Sequence, residues 1–226
     1  MMRRLLDNIV WHTLAGPHAA RTVGNHLVRR YASGFPPIVA FRNPAHPDFH
    51  SLARLVEHGE RVHCDGWGGK APCGWRIDSE SVLIRMTWNS EVIITNEISE
   101  AVPLDVSSAP AALALATLAR PGPFTTRTLE LGEHFGIYDG ATLVAMAGSR
   151  VCAGGFSEIS GVCTHPAFTG RGLARRLVIK VLQQQVARGE SPFLRVMKDN
   201  THACRLYRRL GFCDDGESVA RTMVRL

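Results

Sequence analysis

The chain has 226 residues, 45% hydrophobic and 20% charged, enough to bury a core as one large domain or two compact ones, with no compositional case for disorder. No apolar run approaches the roughly 20 residues a membrane span needs. The basic Met1-Met2-Arg3-Arg4 start is interrupted by Asp7, Asn8 and His12 before it makes a signal peptide, so a cytoplasmic protein with no membrane partner is expected. The net charge of +6 is dispersed rather than striped, which argues against nucleic acid as the partner.

The first hundred residues are broken by Pro36-Pro37, Pro44, Pro47 and the Gly66-Trp67-Gly68-Gly69 run. Within them Ser81 to Thr87 and Glu91 to Thr95 read as strands joined by a turn at Asn89-Ser90. Six cysteines (Cys64, Cys73, Cys152, Cys163, Cys204 and Cys213) form no C-x-x-C pair and read as reduced thiols. The spacing of His58, His63, Cys64 and Cys73 matches no zinc module, so no metal is expected. A helix is predicted from Pro110 to Leu118, capped by Ser107 or Ser108 and stopped by Arg120-Pro121-Gly122-Pro123.

From Leu129 the pattern is clearer. His134 to Tyr138 and Leu143 to Ala147 form a hairpin across Asp139-Gly140, and Phe156 to Thr164 is a third strand after Gly154-Gly155. A glycine-rich turn from Thr169 to Gly172 leads into a helix. There Leu173, Leu177 and Val181 recur at four-residue spacing beside Ala174, Val178 and Leu182, one broad apolar stripe. Gly189 and Pro192 end it. Phe193 to Met197 is a strand, Asp199 or Asn200 caps a last helix to Leu210-Gly211, and Val219 to Leu226 alternates as a final strand. This order predicts a mixed α/β fold.

The chemistry centres on Gly170-Arg171-Gly172-Leu173-Ala174, where a strand passes through a tight turn into a helix. Glycines there leave converging N–H groups unpaired, and the helix dipole adds positive potential, which makes a cradle for a phosphate or pyrophosphate. Arg171, Arg175 and Arg176 add charge at its rim. The spacing excludes a P-loop, and the turn lacks the third glycine of a dinucleotide fingerprint.

The run Glu158-Ile-Ser-Gly-Val-Cys-Thr-His-Pro-Ala-Phe-Thr-Gly-Arg-Gly-Leu-Ala174 resembles the acetyl-CoA signature of the GNAT superfamily of N-acetyltransferases. Downstream, Val196-Met-Lys-Asp-Asn200-Thr-His-Ala203-Cys-Arg-Leu-Tyr207-Arg-Arg-Leu-Gly211-Phe212 resembles its second motif, N-x-x-A-x-x-L-Y-x-x-x-G-F. The resemblance covers roughly residues 129 to 226 and departs from the family at Thr169, where Arg or Gln is usual. It implies a mixed, mostly antiparallel sheet flanked by helices over residues 106–226. A divergent α+β half, residues 1–105, precedes it.

By the same resemblance the chain transfers an acetyl group from acetyl-CoA to a primary amine by direct attack. Val162, Cys163, Thr164, Thr169, Gly170, Arg171, Gly172, Leu173, Ala174, Asn200, Ala203 and Tyr207 would hold the CoA. Asn200, Ala203 and Tyr207 share one helical face, and Tyr207 would give a proton to the departing thiolate. A backbone N–H near Val162 would serve the oxyanion. Glu158 would be the general base for the amine, directly or through water, and it shares a strand face with Ser160, Val162 and Thr164 unless a bulge intervenes. A nucleophilic Cys163 with His165 as base is disfavoured, because Pro166 turns the chain away. The Arg120 to Thr128 loop falls where the acceptor pocket has a wall. The rival readings are a longer-chain acyl-CoA:amino-acid N-acyltransferase and a non-catalytic acyl-CoA sensor.

Overall fold

The computed structural model describes residues 5–89 and 98–226. The second expected strand, Glu91 to Thr95, and Ser90 of the turn before it lie outside these residues. The described part of the first half is more regular than its prolines suggest. It contains helix α1 (Ile9–Ala15), helix α2 (Phe49–Ala53) and strands β1 (Thr22–Gly24), β2 (Val28–Tyr31), β3 (Ile38–Phe41), β4 (Arg61–Asp65) and β5 (Trp75–Trp88). Four of these strands have three to five residues, too short for alternation to show, whereas β5 extends the expected Ser81 to Thr87 strand toward the N-terminus.

Strand β6 (Val102–Leu104) leads to helix α3 (Ala109–Ala119), then β7 (His134–Asp139), β8 (Thr142–Ala153) and β9 (Phe156–Thr164). Helix α4 (Leu173–Ala187), β10 (Ser191–Met197), helix α5 (Thr201–Arg209) and β11 (Phe212–Arg225) complete the order expected from the sequence. Strands β8 and β11 are longer than expected, at 12 and 14 residues.

The strands join one sheet in the order β1-β2-β3-β4-β11-β5-β10-β9-β8-β7-β6. Neighbours are antiparallel except β3 with β4 and β9 with β10. Strand β5, from the first half, therefore lies between two strands of the second half. Helix α4 buries Leu173, Leu177, Val178, Val181 and Leu182 against one face, over Phe135, Ala145, Ile159 and Leu194. This is the stripe the spacing predicts, and burying each such side chain stabilises by about 1.5–3 kcal/mol. On the other face α1 packs with Tyr31, Val151 and Phe193, and α3 packs with Met146 and Cys163.

Candidate active site

The parallel pair β9–β10 is the structural origin of the site. Phe156 to Ile159 pair with Ser191 to Leu194, and the pairing goes no further along β9. Beyond it, among the described residues, Ser160 to Thr164 keep only β8 as a neighbour while β10 continues to Met197 beside β5. The backbone groups on the β10 side of β9 have no strand partner among the described residues, and such groups seek other partners.

A bulge lies at the same point. Gly148 of β8 faces Ser160, Met146 faces Cys163, and so two residues of β9, Gly161 and Val162, oppose one of β8. Gly161 takes φ +64, a conformation that favours glycine. The bulge breaks the period-two argument for this strand. Glu158 turns to the α1 side, where it meets Arg195, but Val162 packs with the α4 cluster on the opposite face. Cys163 returns to the α3 side. Glu158 and Val162 thus do not share a face, because one extra residue inverts the alternation.

The turn after β9 is a short 3-10 helix, Pro166–Phe168, capped by the His165 ring, whose Nδ1 accepts from the Ala167 N–H at 3.2 Å. Thr169 Oγ1 donates to the Pro166 carbonyl at 3.0 Å. Gly170 and Gly172 both take positive φ, +78 and +74, and a β-carbon on either would meet open space. Gly172 is the N-cap of α4, whose first-turn N–H groups lack partners within the helix. Of the rim arginines, Arg171 lies over the Phe168 ring at 4.5 Å, Arg176 pairs with Glu100, and Arg175 is exposed.

Helix α5 brings its share of the predicted residues to the same place. Asn200 caps it, its Oδ1 accepting from the Ala203 N–H at 3.1 Å. Ala203 and Tyr207 face inward and join the cluster that contains Leu173 and Val162. The end of β9, the start of α4 and the inner face of α5 therefore border the same apolar core cluster. Tyr207 is buried, with its ring edge-on to Phe212 at 6.1 Å. Burial pushes its pKa above the usual tyrosine value, so the hydroxyl keeps its proton at neutral pH.

Cys163 is a buried thiol pushed up to about 12 by desolvation, and His165 is turned into its own loop, so the pair has no nucleophile geometry. His63 bonds Thr222 through Nδ1 at 3.1 Å, Cys64 is buried and Cys73 is exposed. Among the described residues no group of three or more His, Cys, Asp or Glu is placed to hold a metal. No helix among them is long and apolar enough to cross a membrane.

Glu158 is 2% exposed and sits in an ion-pair cluster. Its Oε1 accepts from Arg195 Nε at 2.8 Å, and Arg150 Nε stands 3.7 Å from Oε2, which has no hydrogen-bond partner among the described residues. Arg195 also pairs with Asp65 of β4. One faint sign of this cluster was legible, a charge at 195 inside the apolar run from Phe193 to Met197. Asp65 carried no local sign because Arg195 is far away in the chain, and His134 carried none because the glycines against its ring, Gly148 and Gly161, come from other strands.

Comparison with known proteins bears on the family and the fold. The family model described as FR47-like protein matches residues 134–220. The N-alpha-acetyltransferase RimI of Mycobacterium tuberculosis is 38% identical over 96 residues, 41% of this chain and 60% of that protein's length. A crystal structure from Novosphingobium aromaticivorans, assigned to the GNAT family of acetyltransferases, is 32% identical with a TM-score of 0.90 and covers 98% of both chains. A GCN5-related N-acetyltransferase-like protein from Streptococcus suis shares the fold at 16% identity, with a TM-score of 0.62 over 98% of both chains.

Proposed function

The chain belongs to the GNAT superfamily of N-acetyltransferases, and from that premise we propose that it moves an acetyl group from acetyl-CoA to a primary amine by direct attack. The observation that carries this is the parting of β9 from β10 beside the glycine-started helix α4. The pyrophosphate of CoA would lie on the N–H groups of Gly170 to Ala174, where positive φ turns the backbone outward and no side chain intrudes. With Thr169 bonded into its own turn, the backbone does this work rather than a side chain at 169. The pantetheine arm would take the unpaired edge of Val162 to Thr164, with the Val162 N–H directed at the carbonyl oxygen.

Tyr207 is the proposed acid for the CoA thiolate, a role favoured by its burial in the cluster that joins α4, α5 and Val162. Asn200 would act chiefly by fixing the start of α5, and so the placement of Ala203 and Tyr207. Glu158, faced by Arg195 and Arg150, would hold the charge cluster behind the bulge rather than meet the amine. The relative from Mycobacterium tuberculosis is named for α-amine acetylation, so a peptide α-amine is the first acceptor to test, ahead of free amino acids and diamines.

The decisive experiment follows CoA thiol release over a panel of such amines, with the melting temperature recorded with and without acetyl-CoA. Binding should raise Tm through ordinary linkage, by an amount that grows with acetyl-CoA concentration. No shift at millimolar acetyl-CoA would overturn the CoA site. A shift without release on any amine would favour a sensor over an enzyme.

A further inference from the structure

Direct attack requires a group that takes the amine's proton beside the thioester carbonyl. Glu158 is a poor match, because two guanidinium groups already face its carboxylate. A second buried group stands nearer the bulge. His134 opens β7 and is 2% exposed. Its Nδ1 lies 2.8 Å from the Gly132 carbonyl oxygen, which can only accept, so Nδ1 carries the hydrogen and Nε2 holds a lone pair. Nε2 is buried and has no hydrogen-bond partner among the described residues.

Two glycines bring that lone pair to the site. A β-carbon at 148 would stand 2.3 Å from Cδ2 and 2.4 Å from Cγ of His134, so the ring occupies the space that a side chain on β8 would need. The ring thereby reaches past β8 to β9, where a β-carbon at Gly161 would lie 3.9 Å from Nε2. Gly161 is the bulge residue, directly before Val162. The Phe124 ring stands edge-on to the imidazole at 6.3 Å, and the loop that carries it is tied down by Arg150, whose Nη1 donates to the Pro123 carbonyl at 3.1 Å.

We infer that His134 Nε2 takes the proton from the attacking amine at the bulge, an assignment that rests on the acetyl transfer proposed above. The neutral amine nitrogen bonds to the carbonyl carbon and the C=O pair moves onto oxygen. The nitrogen, now positive, passes one N–H proton to Nε2. Collapse restores the C=O bond and breaks the C–S bond, and the thiolate takes the Tyr207 proton. Solvent returns the imidazolium proton to the phenolate, so both groups are reset. Burial lowers the His134 pKa to about 4, so the ring is neutral and Nε2 carries no proton at neutral pH.

His134→Asn keeps a donor for the Gly132 carbonyl and removes Nε2, and His134→Gln supplies an amide in place of the ring. Both should retain the acetyl-CoA-induced Tm shift and an acetyl-CoA KM near wild type, while kcat falls about 100-fold. A folded variant with kcat within threefold of wild type overturns the assignment and leaves the transfer reading intact. Wild-type protein that releases no CoA with any amine overturns both. If neither variant shows a melting transition, long-range proton–nitrogen spectra of the ¹⁵N-histidine-labelled wild type decide. A CoA–amine bisubstrate conjugate should move the unprotonated Nε2 resonance of His134, and an unmoved resonance overturns the assignment.

Discussion

Tyr207 is buried in an apolar cluster with Phe212 at its ring edge, so removing its hydroxyl changes chemistry far more than packing. Tyr207→Phe should bind acetyl-CoA with an unchanged Tm shift and lose about 100-fold in kcat. An unchanged kcat would remove it as the acid. His134 sets a second expectation, in stability against pH. Burial lowers its pKa from 6.5 to about 4 in the folded chain, so between these values the unfolded chain binds the extra proton. Stability held above pH 6.5 is therefore lost as pH falls through this window, by about 3 kcal/mol from this residue. His18, lowered to about 4 mainly by burial, acts in the same direction. Urea unfolding of wild type and His134→Asn at pH 7 and pH 4.5 isolates the term, since other groups cancel in the difference. An equal drop in both proteins would contradict it.

At the scale of elements, what the sequence revealed depended on how local the determinants were. The α4 stripe, the glycine turn and the Asn200 cap each lie within one run of residues, and they stand where spacing put them. Strand β11 starts at Phe212 rather than Val219 because its first residues already pair in register with β5, and Asp215 forms a buried ion pair with Arg85 of that strand. The bulge at Gly161 was legible only as a condition, and the Glu158–Arg195–Asp65 cluster only as a lone charge at 195, because its members come from three separate strands. The start of α4 yields its own prediction. Gly172 takes φ +74, so any side chain there is strained, and an aspartate also sets a negative charge against the bound pyrophosphate. Gly172→Asp should abolish the acetyl-CoA-induced Tm shift. A full shift in that variant would move the pyrophosphate elsewhere.

Across the whole molecule, one sheet runs through both halves of the chain. Strand β5 pairs with β10 on one side and β11 on the other, and its Ile84 and Met86 are part of the core beneath α4. Arg85 on the same strand pairs with Asp7 and Asp215, and Arg195 reaches Asp65 on β4. Residues 106–226 expressed alone would lose this central strand, open the edges of β10 and β11 to solvent, and leave a gap where two core side chains stood. That fragment should show no cooperative thermal transition, whereas the intact chain should unfold in one step by calorimetry. Two resolved transitions in the intact chain, or a folded fragment that still binds acetyl-CoA, would show that the halves are energetically separate. The placement of β5 has a consequence for the site as well. Strand β10 forms one wall of the opening beyond Leu194, and β5 is the neighbour that holds it once β9 has parted. The first half therefore supports the opening proposed to take CoA through backbone pairing, even though the residues proposed to hold CoA lie in the second.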